Sequence, residues 1–217
     1  MTVFRALAAP LRACLLVPIL ALLATFTIPA APLQAAALPL SELSRYLNTL
    51  GSAETDFTQI NPDGSVSTGR IIINRPGKVR FEYAPPDRSL VLSDGQMVAV
   101  FDPKSNQPPE QYPLSRTPLN LILGRDIDLS RARMVTRHRE NGATTRVTAQ
   151  DPQYPQYGTI EMVFSANPTT LRQWIITDDS GSRTTMILGD LKKTGGMSSN
   201  LFDIDREAVN RGLKTDR

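Results

Sequence analysis

The fold is decided by residues 78–83, KVRFEY, in which charged and apolar residues alternate strictly. Successive side chains of a β-strand point to opposite faces, so Val79, Phe81 and Tyr83 face one side and the charged residues face the other. The pattern therefore predicts a strand in a sheet with one apolar face and one solvated face. The apolar face must be covered by another part of the chain.

Similar short runs, rich in Val, Ile, Thr, Phe and Tyr, lie on both sides of this strand. They are separated by residue pairs typical of tight hairpin turns, such as Asp94-Gly95 and Asn141-Gly142. Consecutive strands joined by tight turns form an antiparallel meander, so the sequence predicts a mainly β domain with some α-helix. The predicted strands lie at about 55–60, 69–74, 78–84, 89–93, 97–102, 134–140, 144–149, 159–165, 171–177 and 183–189.

Two of the predicted strands are apolar on both faces. Residues 71–73 and 97–101 contain no charged residue on either face. A strand of this kind is typical of a sheet that is covered on both sides. We therefore expect part of the outer surface of the sheet to be covered as well.

Helical segments are few and short. The first has apolar residues at helical spacing from Leu40 to Leu50, with Ser41 available as its N-cap and Gly51 as its stop. The second is residues 117–124, TPLNLILG, with a proline at the first helical position and a terminating glycine. So little helix can cover a large sheet only thinly, which favours a curved sheet closed around an apolar pocket by a movable helical cover. An ordinary β-sandwich without a pocket is the alternative.

An export signal precedes this domain. It has a basic start, an apolar run over residues 14–28, and small residues at Ala35-Ala36-Ala37 that signal peptidase can cleave. We therefore expect residues 1–37 to be a cleaved signal peptide. Residues 38–217 then form one domain, with a loosely held polar tail from about residue 206, that works in the periplasm. An uncleaved membrane anchor is the alternative, against which several prolines and the cleavage site argue.

Composition excludes several classes of function. The chain has 24 Lys+Arg and 21 Asp+Glu, and loss of Arg5 and Arg12 with the signal leaves 22 against 21, which is not the basic surface that nucleic-acid binding needs. The single cysteine, Cys14, also lies in the signal. The processed chain therefore contains neither a disulfide nor a thiolate metal site.

Catalytic residues are scarce. The one histidine, His138, lies between two arginines on a predicted strand and is interpreted as a surface residue. Phosphate-binding, dinucleotide-binding and zinc motifs are missing, so we predict no cofactor, no metal and no enzymatic activity. The close acid pairs are Asp178-Asp179 and Asp126/Asp128, at turn-like positions. A hydrolase that uses such a pair is kept as an alternative.

A series of short motifs runs through the chain in a recognisable order. They are Phe57-Thr58-Gln59, Gly69, residues 74–83 (NRPGKVRFEY), Ser93-Asp94-Gly95, Phe101-Asp102-Pro103 and Thr117-Pro118-Leu119, followed by Leu171, Trp174, Asp178 and Phe202. In order and spacing this set resembles the periplasmic outer-membrane lipoprotein carrier (LolA) family. The likeness covers almost all of the chain after the signal.

This resemblance implies a half-open, strongly curved antiparallel β-barrel closed by a short-helix lid. Its apolar interior would take the acyl chains of lipoproteins released by an inner-membrane ABC transporter and carry them to an outer-membrane acceptor, where one is present. Such a carrier is expected to be a monomer. Arg75, of the pair Arg75-Pro76, matches the family's latch arginine, which hydrogen-bonds lid backbone in the closed state. A solvated arginine that opens a Pro-Gly turn is the alternative.

The alternation of the strands gives candidate lipid-binding residues for such a carrier. They are Val79, Phe81 and Tyr83 on one strand, Ile160, Met162 and Phe164 on another, and Leu119, Ile122 and Leu123 beneath the lid. Each has an alternative role as ordinary core, and the facing of Trp174 is left open. Val79 stands where well-known members carry phenylalanine, so we expect a more aliphatic lining. A periplasmic module that senses a lipid or a regulatory partner on the same half-barrel is the second function kept open.

Overall fold

The computed structural model of the protein describes residues 36–130 and 133–213. Residues 1–35, which hold most of the predicted signal peptide, lie outside the described residues. The helices of the described part are α1 (Leu40–Thr49), α2 (Asn120–Leu123) and α3 (Ile204–Asn210), with 3₁₀ turns at Leu114–Arg116, Pro155–Tyr157 and Ser199–Phe202. The first two helices are the ones that the sequence predicted, although α2 is shorter and α1 has no side-chain cap.

All strands of the described part belong to one antiparallel sheet. They are β1 (Ser52–Ile60), β2 (Val66–Asn74), β3 (Lys78–Tyr83), β4 (Leu90–Asp94), β5 (Met97–Phe101), β6 (Glu110–Pro113), β7 (Val135–Asn141), β8 (Thr144–Gln150), β9 (Thr159–Ser165), β10 (Thr170–Thr177), β11 (Arg183–Leu188) and β12 (Lys192–Lys193). The ten predicted strands are confirmed, whereas β6 and β12 were not predicted. A single sheet closed by short helices is the predicted fold class, and the β-sandwich alternative is wrong.

The order of strands explains why the segment that contains α2 crosses one face of the sheet. It runs β6-β5-β4-β3-β2-β1-β11-β10-β9-β8-β7, with β12 beside β1. Most neighbours are joined by tight turns, but β6 and β7 follow each other in the chain and lie at opposite edges. The connection between them, which contains α2, must therefore cross from one edge to the other.

The face of the sheet below this connection, called here the inner face, carries the larger apolar cluster. Residues from α1, α2 and most strands meet in it, including Leu47, Phe57, Phe81 and Trp174. Strand register places these strand residues on one side: Phe57 pairs with Leu188, and Ile71 pairs with Phe81. The alternation of KVRFEY at residues 78–83 thus directs Val79 and Phe81 into the cluster.

The opposite face of β2–β5, called here the outer face, carries a second cluster. Ile72, Leu90, Leu92, Ala99 and Phe101 form its floor. The expected cover over the doubly apolar strands is the C-terminal segment, because Phe202, Ile204 and Ala208 complete the cluster.

The expectation of a loosely held tail from about residue 206 is wrong for the described residues. Residues 204–210 form α3, in which Ile204 and Ala208 stand four residues apart on one helix face and are buried against the sheet. Asp203 caps this helix by accepting a hydrogen bond from the backbone N–H of Arg206 at 2.9 Å.

Candidate functional site

The candidate site is the inner face of the sheet with the helices above it. All nine predicted lipid-binding residues lie in or against its apolar cluster, although they come from β3, β9 and the α2 segment. Buried in the cluster are Val79, Phe81, Ile122, Leu123, Ile160, Met162 and Phe164, while Tyr83 and Leu119 are partly buried and pack against it. The structure therefore brings the predicted set together on one surface.

Aromatic rings form a row along this face. Phe57 lies between Phe81 and Tyr83, with ring centroids 5.9 Å and 5.1 Å away, and Phe81 also contacts Trp174 at 6.3 Å. All three contacts are edge-on, the arrangement that the ring quadrupoles favour. The expectation of an aliphatic lining is met only in part, since Trp174 faces inward and its side chain is buried.

Gly69 makes room for this aromatic row. It lies on β2 opposite Tyr83, and it pairs with Phe57 on the other side. A Cβ atom there would lie 2.2 Å from the carbonyl oxygen of Glu82 and 2.8 Å from the Phe57 ring. Any larger residue would therefore push the Phe57 ring out of its place.

The inner face is closed in this conformation. Leu43 and Leu47 of α1 and Ile160, Met162 and Phe164 of β9 have no measurable solvent exposure. The pocket that the sequence predicted is thus filled by the protein's own side chains. A ligand can enter only if the helices move, which makes the attachment of the helices the decisive feature of the site.

Arg75 provides that attachment. It follows β2, where its backbone N–H donates to the carbonyl of Gly51 at 3.0 Å. Its guanidinium donates from Nη1 to the carbonyl of Leu47, in the last turn of α1, and from Nη2 to the carbonyl of Gly124, which follows α2. The last carbonyls of a helix have no partner within the helix, and a guanidinium has enough donors to serve two of them. One side chain thus ties both helices to the sheet, while Pro76 beside it is exposed.

The guanidinium of Arg75 is held by carbonyls more than by charge. Burial lowers its pKa, and the negative charge of Asp126 partly opposes this effect. Its Nε atom is buried without a hydrogen-bond partner among the described residues. An arginine stays charged at any physiological pH, so the attachment does not depend on proton uptake.

The turn after Arg75 adds a second attachment. The backbone N–H of Gly77 donates to the carbonyl of Leu123, the last residue of α2, at 2.8 Å. Gly77 has a φ of 76°, and a Cβ there would lie 2.7 Å from Gly95. The Pro-Gly turn between β2 and β3 therefore needs its glycine for the positive φ and for close packing against the turn at Gly95.

Two polar side chains of α1, which the sequence analysis missed, tie the chain beyond α2 to the same helix. Asn48 donates to the carbonyl of Ile127 at 2.8 Å and accepts from the N–H of Ile127 at 3.0 Å. Ser44 accepts from the N–H of Leu129 at 2.9 Å. Asn and Ser on a helix have no distinctive sequence pattern for such a role. Because Ile127 and Leu129 are also buried, α1 and residues 124–129 form one connected cover.

The remaining candidate residues do not form a site. His138 is exposed, with Nε2 2.9 Å from the carbonyl oxygen of Leu38. Asp178 binds the hydroxyl of Ser180 at 2.7 Å within its own turn. Among the described residues, no group of acids, histidines and cysteines is arranged to hold a metal ion, and no helix is long and apolar enough to span a bilayer.

The fold therefore defines a mainly β class of proteins in which one open antiparallel sheet has its apolar face covered by short helices. Comparison with known proteins then gives the family. The family described as Outer membrane lipoprotein carrier protein LolA matches residues 48–205. The chain belongs to this family.

Named relatives agree with this assignment at low identity. The outer-membrane lipoprotein carrier protein of Coxiella burnetii is 24% identical over 172 residues, which cover 75% of this chain and 81% of that protein. The protein of the same name from Chromohalobacter salexigens is 26% identical over 172 residues, covering 75% and 80%. Among solved structures, a LolA superfamily protein from Nitrosomonas europaea matches 78% of this chain and 99% of its own, with 10% identity and a TM-score of 0.42.

Proposed function

We propose that this protein is a periplasmic carrier that binds the acyl chains of lipoproteins at its inner face and moves lipoproteins from the inner membrane to the outer membrane. The observation that carries the proposal is the apolar inner face beneath a cover whose two helices are both hydrogen-bonded by Arg75. Membership in the family and the names of the relatives support the same role. The proposal includes export by a signal peptide that ends near Ala37, and a chaperone-like role without catalysis.

The energetics of acyl chains explain why a carrier is needed. Each methylene group transferred from water to an apolar site contributes about 0.8 kcal/mol. A lipid anchor with several long chains therefore costs tens of kcal/mol to expose to water, and it cannot cross an aqueous compartment alone. In a bilayer the same chains are already stable, so their transfer into the protein is nearly neutral.

This balance suits a cover with few hydrogen bonds to break and an apolar contact that acyl chains can take over. A hydrogen bond contributes about 0.5 to 1.5 kcal/mol net to stability. The bonds of Arg75 to Leu47 and Gly124, with that of Gly77 to Leu123, form a small set that can break when the cover lifts, and entering acyl chains then replace the apolar contacts of the helices. We therefore propose that α1 and α2 lift together from the sheet, and that acyl chains take their place against Val79, Phe81 and the other predicted lipid-binding residues.

Loading and release then need partners. The chain carries no nucleotide-binding motif, so work for loading has to come from elsewhere, which is the role proposed for an inner-membrane ABC transporter. Release toward the outer membrane requires that an acceptor, or the membrane itself, holds the chains more tightly than the inner face does.

The test places a photo-crosslinking phenylalanine analogue at position 81, inside the cluster, or at position 112, where Tyr112 is exposed. With purified protein and a radiolabelled lipoprotein, we expect crosslinks to the acyl chains from position 81 and few from position 112. Lipid extraction from the purified unmodified protein should also yield acyl material. Equal crosslinking from both positions, or an empty protein that forms no crosslink, contradicts the proposal.

A further inference from the structure

The outer face of β7–β11 carries an unbalanced positive charge. A groove of about 490 Å³ runs across these strands, and the charged residues that line it are Arg137, Arg139, Arg146, Arg183 and Glu161. Four arginines and one glutamate give this surface a net charge of +3. Asp178 and Asp179, in the turn between β10 and β11, do not line it.

The arginines are arranged in a way that folding alone does not favour. Arg139 and Arg146 are direct cross-strand partners on β7 and β8, and like charges in such pairs are destabilising. Among the residues that the structure describes, Glu161 is the one carboxylate that they share, at 3.7 Å from Arg139 and 2.6 Å from Arg146. Arg137 and Arg183 have no ion-pair or hydrogen-bond partner for their side chains in the described part of the chain. The surface thus has unmet capacity to bind an anion.

The outer face of β1–β3 differs, because its arginines are balanced. Arg70 pairs with Glu54, and Arg80 pairs with Glu82 and Glu207. The excess of positive charge is therefore a property of β7–β11 and not of the sheet as a whole.

The chemistry of the groove favours phosphate over a protein surface. Guanidinium groups bind phosphate oxygens through paired hydrogen bonds, and threonine hydroxyls from Thr136, Thr148, Thr159 and Thr177 also line the groove. Protein interfaces use apolar or aromatic anchors in pockets. Here Ile175 is the one apolar residue of the lining, and it is already buried.

We propose that the outer face of β7–β11 is a docking surface for the anionic phospholipid headgroups of a bilayer, with Arg137 and Arg183 as its free phosphate-binding groups. The choice of a bilayer rests on the proposed function, because a carrier that collects and delivers acyl chains must approach membranes. The surface lies on the side of the sheet opposite the apolar cluster, so docking leaves the helical cover free to move.

The test measures partition of the exported, processed protein onto vesicles of phosphatidylcholine, with and without about one-third phosphatidylglycerol. Each arginine near an anionic surface contributes about fivefold to the partition coefficient. We expect the double variant Arg137→Gln/Arg183→Gln to bind anionic vesicles about 25-fold more weakly, and Glu161→Gln to bind several-fold more tightly. The variant Lys104→Gln/Arg206→Gln removes the same charge from other exposed positions and should bind within about twofold of the unchanged protein.

Every outcome of the vesicle experiment either supports or overturns the docking proposal. Binding to both vesicle types alike, or unchanged binding by the double variant, overturns the proposal. The variant Arg137→Lys/Arg183→Lys keeps both positive charges. If this variant is folded but binds anionic vesicles as weakly as the glutamine variant, the positive charge of the groove is not the cause of binding. If the glutamine double variant binds vesicles normally but an acidic protein no longer captures it, the groove is assigned to a protein partner instead. The vesicle assay contains no lipoprotein. A failure of the docking proposal can therefore be told apart from a failure of the crosslinking test of acyl binding.

Discussion

The sheet is covered by helix on both faces, but the two covers are attached differently. On the inner face, α1 and the segment around α2 lie over the larger cluster and are joined to the sheet edge by Arg75 and Gly77. On the outer face, α3 and the turn before it are attached by the buried ring of Phe202 and by the ion pair of Glu207 with Arg80 of β3. The first attachment combines a large apolar contact with hydrogen bonds at both ends of α1, since the hydroxyl of Thr169 also donates to Glu42. The second combines a smaller apolar cluster with an ion pair to the sheet.

The proposed function requires the inner cover to move and the outer cover to stay. Removing α3 would expose the apolar floor formed by Leu90, Leu92 and Phe101 with nothing to replace it. Lifting α1 and α2 exposes apolar surface too, but under the proposed function acyl chains would cover that surface. A cover that exchanges with a ligand needs an apolar contact that the ligand can replace, and a cover that only completes the fold does not.

The largest effect is expected from Phe202→Ala in the outer cover. The side chain is 1% exposed, and loss of a buried phenylalanine costs about 3 to 5 kcal/mol of stability. We expect a corresponding fall in the free energy of unfolding, measured by urea denaturation. Leu201→Ala, at a neighbouring position that is 40% exposed, is the control and should change stability by less than about 1 kcal/mol. Equal effects of the two variants would mean that the outer cover is not firmly attached.

Arg75→Leu should separate transfer from folding. The variant loses the bonds to Leu47 and Gly124, but leucine is apolar and suits a half-buried position. We therefore expect near-normal thermal unfolding and at least a tenfold loss of lipoprotein transfer at one step. The measurement is reconstituted transfer between inner and outer membranes. Arg125→Leu, which removes an exposed neighbouring arginine, should keep normal transfer. Normal transfer by Arg75→Leu would remove Arg75 from the mechanism.

Asn48→Ala tests whether α1 and residues 124–129 move as one cover. The change leaves the N–H and carbonyl of Ile127 without their side-chain partner, which costs about 1 to 3 kcal/mol locally. We expect hydrogen exchange of the Ile127 amide to speed up by about tenfold or more, with little change in the strands. Thr49→Ala, which removes a bond within α1 only, is the matched control. Unchanged exchange at Ile127 would show that Asn48 does not hold this segment.

The strands could be predicted because their signals are local. Alternation in residues such as Val79, Phe81 and Tyr83, with turns such as Asp94-Gly95, defines where a strand begins and ends. The short strand β6 was missed because Glu110–Pro113 is exposed and has no apolar alternation. The facing of Trp174 was undecided for a related reason: both sides of β10 carry apolar residues.

The attachments could not be predicted from residues alone, because their acceptors are backbone atoms. Nothing in the side chains of Leu47 or Gly124 marks their carbonyls as partners of Arg75. Arg75 was found only through the family resemblance, and Asn48 was not found at all. The outer cover was expected from the doubly apolar strands, but α3 has only two buried residues, Ile204 and Ala208, so its segment was read as a polar tail.

The smallest effect is expected from Glu207→Gln, which probes the charges of the outer cover. Burial would raise the pKa of Glu207, but hydrogen bonds from Arg211 and Arg80, with their positive charges, lower the pKa below its ordinary value. A carboxylate with a lowered folded-state pKa contributes stability above its unfolded pKa of about 4.5 and loses it as the pH falls through the folded-state value. We therefore expect the variant to be less stable than the unchanged protein by about 1 to 2 kcal/mol at pH 7, with the difference shrinking below about pH 4. Thermal unfolding across this pH range checks the prediction, with Asp179→Asn in an exposed turn as the control. A difference that stays constant with pH would mean that Glu207 acts through packing, and the two covers would then differ in apolar contact alone.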